Sequence, residues 1–106
     1  MQNTIQNSTE EQVETITLYR VKNDTCGNPR YVVHFLSLLT EEESNSLDVF
    51  EKYNHALSKA RKIGGKKFHN KQFGGGVVFQ CYNTESLVNE IAVLTNRKLK
   101  GYIQRG

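Results

Sequence analysis

Residues 59–71 hold the side chains best suited to binding a polyanion. The segment carries six Lys or Arg side chains and no acidic one. Ammonium and guanidinium groups neutralise phosphates, glycines allow a backbone to approach closely, and aromatic rings stack on bases. Phe68, His69 and Phe73 lie in or beside the segment, and three consecutive glycines follow it. This combination of cations, aromatic rings and glycines predicts a nucleic-acid interface.

A further set of basic side chains begins upstream of this segment and overlaps it at helical spacing. Lys52, His55, Lys59 and Lys62 are three, four and three positions apart, which places them on one face of a helix. Together the two groups define the candidate interface: Lys52, His55, Lys59, Arg61, Lys62, Lys66, Lys67, Phe68, His69, Lys71 and Phe73. The competing interpretation is a solvated helix face and a hairpin tip whose lysines maintain solubility.

Catalysis has weaker support in the sequence than binding. His55 and His69 flank the basic surface and are the better candidates for a general base, whereas His34 lies in an apolar strand pattern. No spacing links a histidine to a nucleophile, so a metal-free ribonuclease is disfavoured and we expect a non-enzymatic protein without catalytic residues. The glycines match neither the G-x-x-x-x-G-K-[ST] phosphate loop nor the G-x-x-G loop of KH domains.

The cysteines and histidines predict neither a disulfide nor a metal site. Cys26 and Cys81 are far apart in the sequence and no secretion signal precedes them, so both are expected to be reduced. No paired C-x-x-C or H-x-x-x-H spacing occurs, and a zinc site needs about four ligands. We therefore expect no metal and no cofactor.

Charge is unevenly distributed along the 106 residues, whose net charge is +3. Residues 1–58 carry four basic and nine acidic side chains, and residues 59–106 carry ten and two. This asymmetry favours an acidic partner for the basic half, either nucleic acid or an acidic protein surface. The alternative is a dipolar molecule whose two halves neutralise each other.

The first part of the chain predicts a polar tail followed by a β-hairpin. Residues 1–12 are nearly all polar and are expected to form a disordered tail before a single domain at 13–106. The pattern is β-like over 13–22, and turn-forming residues fill 23–29. Residues 30–39 are apolar on both faces, as in a central strand, so the two strands are expected to pair antiparallel.

An amphipathic helix is predicted after the hairpin. Thr40 or Ser46 is its expected N-cap, and Gly64 and Gly65 are expected to end it with a left-handed residue. At 100° per residue, the apolar side chains that share one face are Val49, Phe50, Tyr53, Ala56, Leu57, Ala60 and Ile63. This face is expected to pack on the sheet.

The remaining elements complete an α+β fold. Residues 77–82 predict a strand, a second helix capped by Asn83 or Thr84 follows, and residues 101–105 are expected to add a short edge strand. The predicted order is β-β-α-(β)-β-α: an antiparallel sheet of three to five strands with two helices packed on one face. An open sheet edge would also allow a homodimer. No apolar run approaches the ~20 residues of a membrane span, so we expect a soluble, cytoplasmic protein.

Two segments of the chain carry a resemblance to known proteins: 27–35 (GNPRYVVHF) and 73–83 (FGGGVVFQCYN). Through them the chain resembles small single-domain accessory proteins of bacterial plasmids and phages, over about residues 15–95. The resemblance carries no catalytic motif, but it implies a protein that binds nucleic acid or blocks host defences. The alternative function is therefore a protein-binding inhibitor or adaptor, such as an anti-CRISPR or anti-restriction protein. Its interface would be the tyrosine side of the hairpin, the acidic edge at Glu41–Glu43 or the same lysines.

Overall fold

The computed structural model of the chain describes residues 12–70 and 74–105. The strands are β1 (Glu14–Val21), β2 (Arg30–His34), β3 (Lys66–Asn70), β4 (Gly74–Gln80) and β5 (Leu99–Arg105). The α-helices are α1 (Glu41–Ser46), α2 (Val49–Lys62) and α3 (Thr84–Thr95), and a 3-10 turn spans Phe35–Leu38. The predicted α+β class is confirmed. Apart from Gln12, the predicted tail lies outside the described residues.

The five strands form one sheet in the order β3-β4-β2-β1-β5. Three neighbouring pairs are antiparallel, but β5 runs parallel to β1. The sheet is therefore mixed, and the prediction of an antiparallel sheet is wrong at this edge. The reason is the connection through α3, which carries the chain from β4 past β2 and β1 to the far edge. A helical crossover of this kind leaves its two strands pointing in the same direction.

The hairpin of β1 and β2 is confirmed, and its turn is held by Asp24. The Asp24 carboxylate accepts hydrogen bonds from the backbone N–H groups of Cys26, at 2.9 Å, and Asn28, at 2.8 Å. Gly27 adopts a φ of +85°, which a side chain would disfavour. The hydrogen bond from the Asn28 N–H is the main cause that lowers the pKa of Asp24.

The second strand is shorter than its sequence pattern predicts. It ends at His34, and a 3-10 turn follows where the prediction continued the strand to Leu39. The His34 Nδ1 atom caps this turn by accepting the Leu36 N–H at 3.3 Å. Leu38 and Leu39 are fully buried in the core. The residues after His34 are therefore apolar because the 3-10 turn is buried, and not because the strand continues with both faces buried.

Two capping boxes divide the predicted first helix into α1 and α2. The Thr40 hydroxyl accepts the Glu43 N–H at 3.1 Å, and the Glu43 carboxylate accepts the Thr40 N–H at 2.9 Å. Asp48 and Glu51 form the same reciprocal pair at the start of α2. Of the two predicted caps, Thr40 is confirmed, whereas Ser46 is the last residue of α1. Each box satisfies backbone N–H groups that a helix start leaves unpaired.

The chain leaves α2 through two glycines that are needed for different reasons. Gly64 has a φ of +88°, so the predicted left-handed residue at the helix end is confirmed. Gly65 is buried, and a Cβ atom there would lie 2.6 Å from Cε1 of the Phe79 ring and 2.7 Å from Cγ1 of Val77. The exit from the helix is therefore packed tightly against β4, which fixes β3 and its lysines beside the end of α2.

The core lies between one face of the sheet and the helices. A single cluster of buried residues joins Ile16, Leu18, Val33, Val77 and Phe79 of the strands to Ala56, Leu57, Ala60, Leu87, Val88 and Ile91 of the helices. The buried apolar residues of the two long helices all belong to this one cluster, so these helices pack on the same face of the sheet. The strand residues that alternate with the cluster point to the other face. The prediction of helices on one face is confirmed, with α1 as an additional short helix. None of the helices described in 12–70 and 74–105 has the length and apolar character to cross a membrane.

The first turn of α2 differs from the prediction. Val49 and Phe50 are 73% and 75% exposed, although their spacing places them with the buried Ala56 and Leu57. The first turn of α2 therefore extends beyond the core. Periodicity identifies the apolar face of a helix, but it does not show where along the helix the core ends.

Candidate nucleic-acid interface

Two basic side chains of α2, His55 and Lys59, contact the short helix α1. Lys59 forms an ion pair with Glu43, and Nδ1 of His55 lies 3.4 Å from the second carboxylate oxygen of the same residue. The Lys59 side chain is only 17% exposed. Lys52 is half-buried and Lys62 is exposed. The sequence predicts one solvent-facing row of four basic residues, but the acidic helix α1 neutralises part of that row.

The charge of Glu43 is stabilised by its surroundings. Partial burial raises the pKa of Glu43, but the hydrogen bonds from the Lys59 ammonium and the Thr40 N–H outweigh it and lower the pKa from 4.5 to about 2. The carboxylate is therefore ionised at neutral pH and compensates the charge of Lys59. At this contact the acidic and basic halves of the chain meet, as the dipolar interpretation expects.

The end of α2 and the strand β3 bring together a second group of basic side chains, here termed the basic edge. Its members are all exposed: Arg61, Lys62, Lys66, Lys67 and His69. Within the described ranges, none of the five forms an ion pair with a carboxylate. Nζ of Lys67 lies 5.9 Å from the ring centroid of Tyr53, a weak cation–π contact. The charge of the basic edge is therefore available to an external anion.

Alternation along β3 separates residues that the sequence groups together. Lys67 pairs in register with the core residue Val77, so Lys67 and His69 belong to the helix side of the sheet. Lys66 and Phe68 belong to the opposite face. The two predicted stacking residues of this strand, Phe68 and His69, are therefore on different faces. Two further predicted residues, Lys71 and Phe73, lie outside the described ranges.

The sequence analysis did not single out three residues on the face without helices. Arg30, Lys100 and Tyr102 lie there, and Tyr102 is 56% exposed. The alternation of Lys100 and Tyr102 with apolar neighbours was a signal in the sequence. However, only the register between β5 and β1 shows that these residues share a face with Lys66.

The histidines and cysteines occupy separate surroundings. His34 caps the 3-10 turn, His55 contacts Glu43, and His69 lies on an exposed edge strand. Among residues 12–70 and 74–105, no group of three or more His, Cys, Asp or Glu side chains could hold a metal ion. Burial raises the pKa of the Cys81 thiol, which disfavours the reactive thiolate. The chemistry that the arrangement supports is electrostatic attraction of an anion.

Comparison with known proteins identifies the family of the chain. The family model described as Staphylococcus phage terminal repeat-encoded protein TreK matches residues 9–100. This range covers most of the 106 residues, and the chain belongs to that family. The resemblance to small phage proteins is confirmed. Searches among curated proteins and among solved structures give no match.

Proposed function

We propose that this phage protein is a small non-enzymatic accessory protein that binds nucleic acid through the basic edge. One observation carries the proposal: four exposed cations, Arg61, Lys62, Lys66 and Lys67, lie at the junction of α2 and β3 without an ion-paired carboxylate in the described ranges. No acidic residue occurs between positions 59 and 70. A cluster of this kind attracts phosphates and releases their counterions on binding.

The flank of α2 contributes less to the proposed interface than the basic edge does. A phosphate that approached Lys59 or His55 would compete with Glu43, which already contacts both side chains. Breaking a partly buried charged contact costs free energy. Phosphate binding at the exposed lysines of β3 does not carry this cost, because they have no such contact with a described carboxylate to break. We therefore place the main phosphate contacts at the end of α2 and on β3, with Lys52 as an outlying contributor.

Salt dependence of binding tests this proposal. Fluorescence anisotropy would be measured with labelled single- and double-stranded oligonucleotides between 25 and 200 mM NaCl. If four phosphates are neutralised, the logarithm of the affinity falls with the logarithm of the salt concentration at a slope of about −3 to −4. In the double variant Lys66→Ala/Lys67→Ala we expect weaker binding and a slope shallower by about 2.

A charge-matched control distinguishes a local contact from an effect of net charge. The double variant Lys22→Ala/Arg105→Ala also removes two exposed cations, but both lie away from β3, towards the opposite edge of the sheet. We expect it to retain most of the affinity. The proposal fails if no oligonucleotide binds at 25 mM NaCl, or if the two double variants lose affinity equally.

A protein-binding inhibitor or adaptor, such as an anti-CRISPR or anti-restriction protein, is the second candidate function. The exposure of Val49 and Phe50 favours it, because large apolar side chains in water are commonly protein contacts. Asp48 and Glu51 adjoin them and would suit a basic partner surface. A host protein that co-purifies with the wild type but not with Phe50→Ser, in the absence of oligonucleotide binding, would support this candidate over the first.

A further inference from the structure

The face of the sheet that points away from the helices, here termed the open face, is continuous across all five strands. One complete row of register partners crosses it from edge to edge: Lys66, Val78, Val32, Tyr19 and Gln104. Since neighbouring strands lie about 4.8 Å apart, β3 and β5 are about 19 Å apart. The open face is therefore wide enough to contact several nucleotides.

The centre of the open face is closely packed and has small side chains. Val32 is fully buried in the middle of the row. Gly76 adjoins it on β4, and a Cβ atom there would lie 2.9 Å from Cγ1 of Val32. Because Gly76 has no side chain, nothing protrudes from the sheet at this position. The exposed lysines of this face, Lys66 and Lys100, therefore stand at the two edges of the sheet, on β3 and β5.

The charged strand residues of the open face are all positive. Arg30, Lys66 and Lys100 belong to it by register and alternation. The single acidic residue in the described strands is Glu14, which is two positions from the core residue Ile16 and therefore shares the helix side of the sheet with it. An open face with cations at both edges and no carboxylate among its strand residues is complementary to a polyanion.

Side chains that are able to stack on bases or hydrogen-bond to them accompany the cations. Tyr102, which is 56% exposed, lies between Lys100 and Gln104 on the outer strand β5. The side chains of Gln80, Gln104 and His34 are also exposed and can hydrogen-bond to base edges. An accessible aromatic ring beside a cation, on a face whose charged strand residues are positive, is a combination that binds single-stranded nucleic acid with little sequence preference.

We propose that the open face binds a single strand of nucleic acid, with a base stacked on Tyr102 and phosphates at Lys66 and Lys100. This inference rests on the proposed nucleic-acid function and names its substrate class. An unpaired base offers its ring face to an aromatic side chain, whereas a duplex buries that face in its own stack. A broad sheet face also lacks the protruding helix or two-stranded ribbon that enters a major groove.

Affinities for a labelled 12-nucleotide oligothymidylate and for a 12-base-pair duplex test the inference. We expect tighter binding of the single strand at the same salt concentration. Loss of stacking in Tyr102→Ala should weaken it about 5- to 100-fold, while Tyr102→Phe retains most of the affinity. The aromatic control is Phe50→Ala, which removes an even more exposed ring from the helix side and should leave the affinity unchanged.

The neighbouring lysines of β3 provide a matched pair of cation variants. Lys66 belongs to the open face and Lys67 to the helix side, yet they are adjacent and both exposed. We expect Lys66→Ala to weaken binding of the single strand more than Lys67→Ala does. Equal losses in the two variants, together with no effect of Tyr102→Ala, would overturn the open-face inference while leaving nucleic-acid binding through the basic edge intact.

Two other results separate this inference from the proposed function. Tighter binding of the duplex than of the single strand overturns the inference alone. No binding of either oligonucleotide overturns both proposals. Photo-crosslinking of wild-type protein to a 4-thiothymidine oligonucleotide avoids any variant that folds poorly. Crosslinks in the peptide containing residues 99–105 support the open face, and crosslinks confined to α2 contradict it.

Discussion

Glu43 is the residue at which helix capping and the charge of the candidate surface meet. One carboxylate oxygen accepts the Thr40 N–H at 2.9 Å and also pairs with Lys59, and the other faces His55. A single side chain therefore caps the start of α1, connects α1 to α2 and contacts two basic groups, of which Lys59 is largely withdrawn from solvent. Its contribution is electrostatic, so it should depend on pH.

Replacement of Glu43 by Gln should reveal that dependence. The amide oxygen can still accept the Thr40 N–H, but the charge is lost. Because the folded-state pKa of about 2 lies below the usual 4.5, the stabilisation is complete above pH 5 and disappears as the pH falls towards 2. We expect Glu43→Gln to lower the free energy of unfolding by about 1–2 kcal/mol at pH 7, allowing for solvent screening, and by much less at pH 2.5.

Urea denaturation at pH 7, 4 and 2.5 measures this difference. Glu42→Gln is the matched control, because Glu42 is an exposed residue of the same helix turn. Its effect should be small at every pH. A destabilisation by Glu43→Gln that is the same at pH 2.5 as at pH 7 would show that the side chain acts through packing, and would contradict the electrostatic explanation.

The helix α2 shows how one element serves two surroundings. Leu57 is 7% exposed in the core, whereas Phe50 is 75% exposed on the first turn. We expect Leu57→Ala to lower the free energy of unfolding by about 2–5 kcal/mol and Phe50→Ala to change it by less than about 0.5 kcal/mol. Thermal or urea unfolding of the two variants gives the comparison. A large loss in Phe50→Ala would mean that the first turn packs against a part of the chain outside the described ranges.

Local signals in the sequence were sufficient for several elements. Turn formers on either side of Gly27 predict the hairpin, the glycines at 64 and 65 predict the end of α2, and Asn83 is confirmed as the cap of α3. Each of these depends on residues close together in the chain. The apolar run after His34 is compatible with a buried strand and with a buried turn, so the local sequence pattern does not distinguish these two structures.

The rest of the fold and site depends on contacts between distant positions. Pairing of β5 with β1 joins the two ends of the domain. No local sequence pattern in either strand indicates that the other is its partner. The contact of Lys59 with Glu43 crosses 16 positions and changes a predicted phosphate ligand into a structural ion pair. The separation of Lys66 and Lys67 onto different faces follows from strand alternation. The optional strand before residues 77–82 was predicted without bounds, so the sequence did not reveal this separation.

At the scale of the whole molecule, positive charge is concentrated at both edges of the sheet. The edge strands β3 and β5 each contain two Lys or Arg residues and no acidic one. The sheet order separates these strands by three others, so the two positive edges lie on opposite sides of the molecule. Lysines at an exposed edge hinder its pairing with another chain, and Lys66, Lys67 and Lys100 of these edges are also the phosphate contacts proposed above.

The two associations proposed for this sheet should therefore respond to salt in opposite ways. A homodimer through β5, the longer edge, would bring the positive side chains Lys100 and Arg105 of both copies together, and salt screens this repulsion. We expect a monomer of 12.1 kDa at 50 mM NaCl and an increase in mass at 500 mM NaCl, measured by light scattering at high protein concentration. In Lys100→Gln the repulsion is weaker, so association should begin at lower salt. A dimer that is present at 50 mM NaCl and dissociates as salt is added would contradict edge pairing, since that behaviour requires an interface of opposite charges.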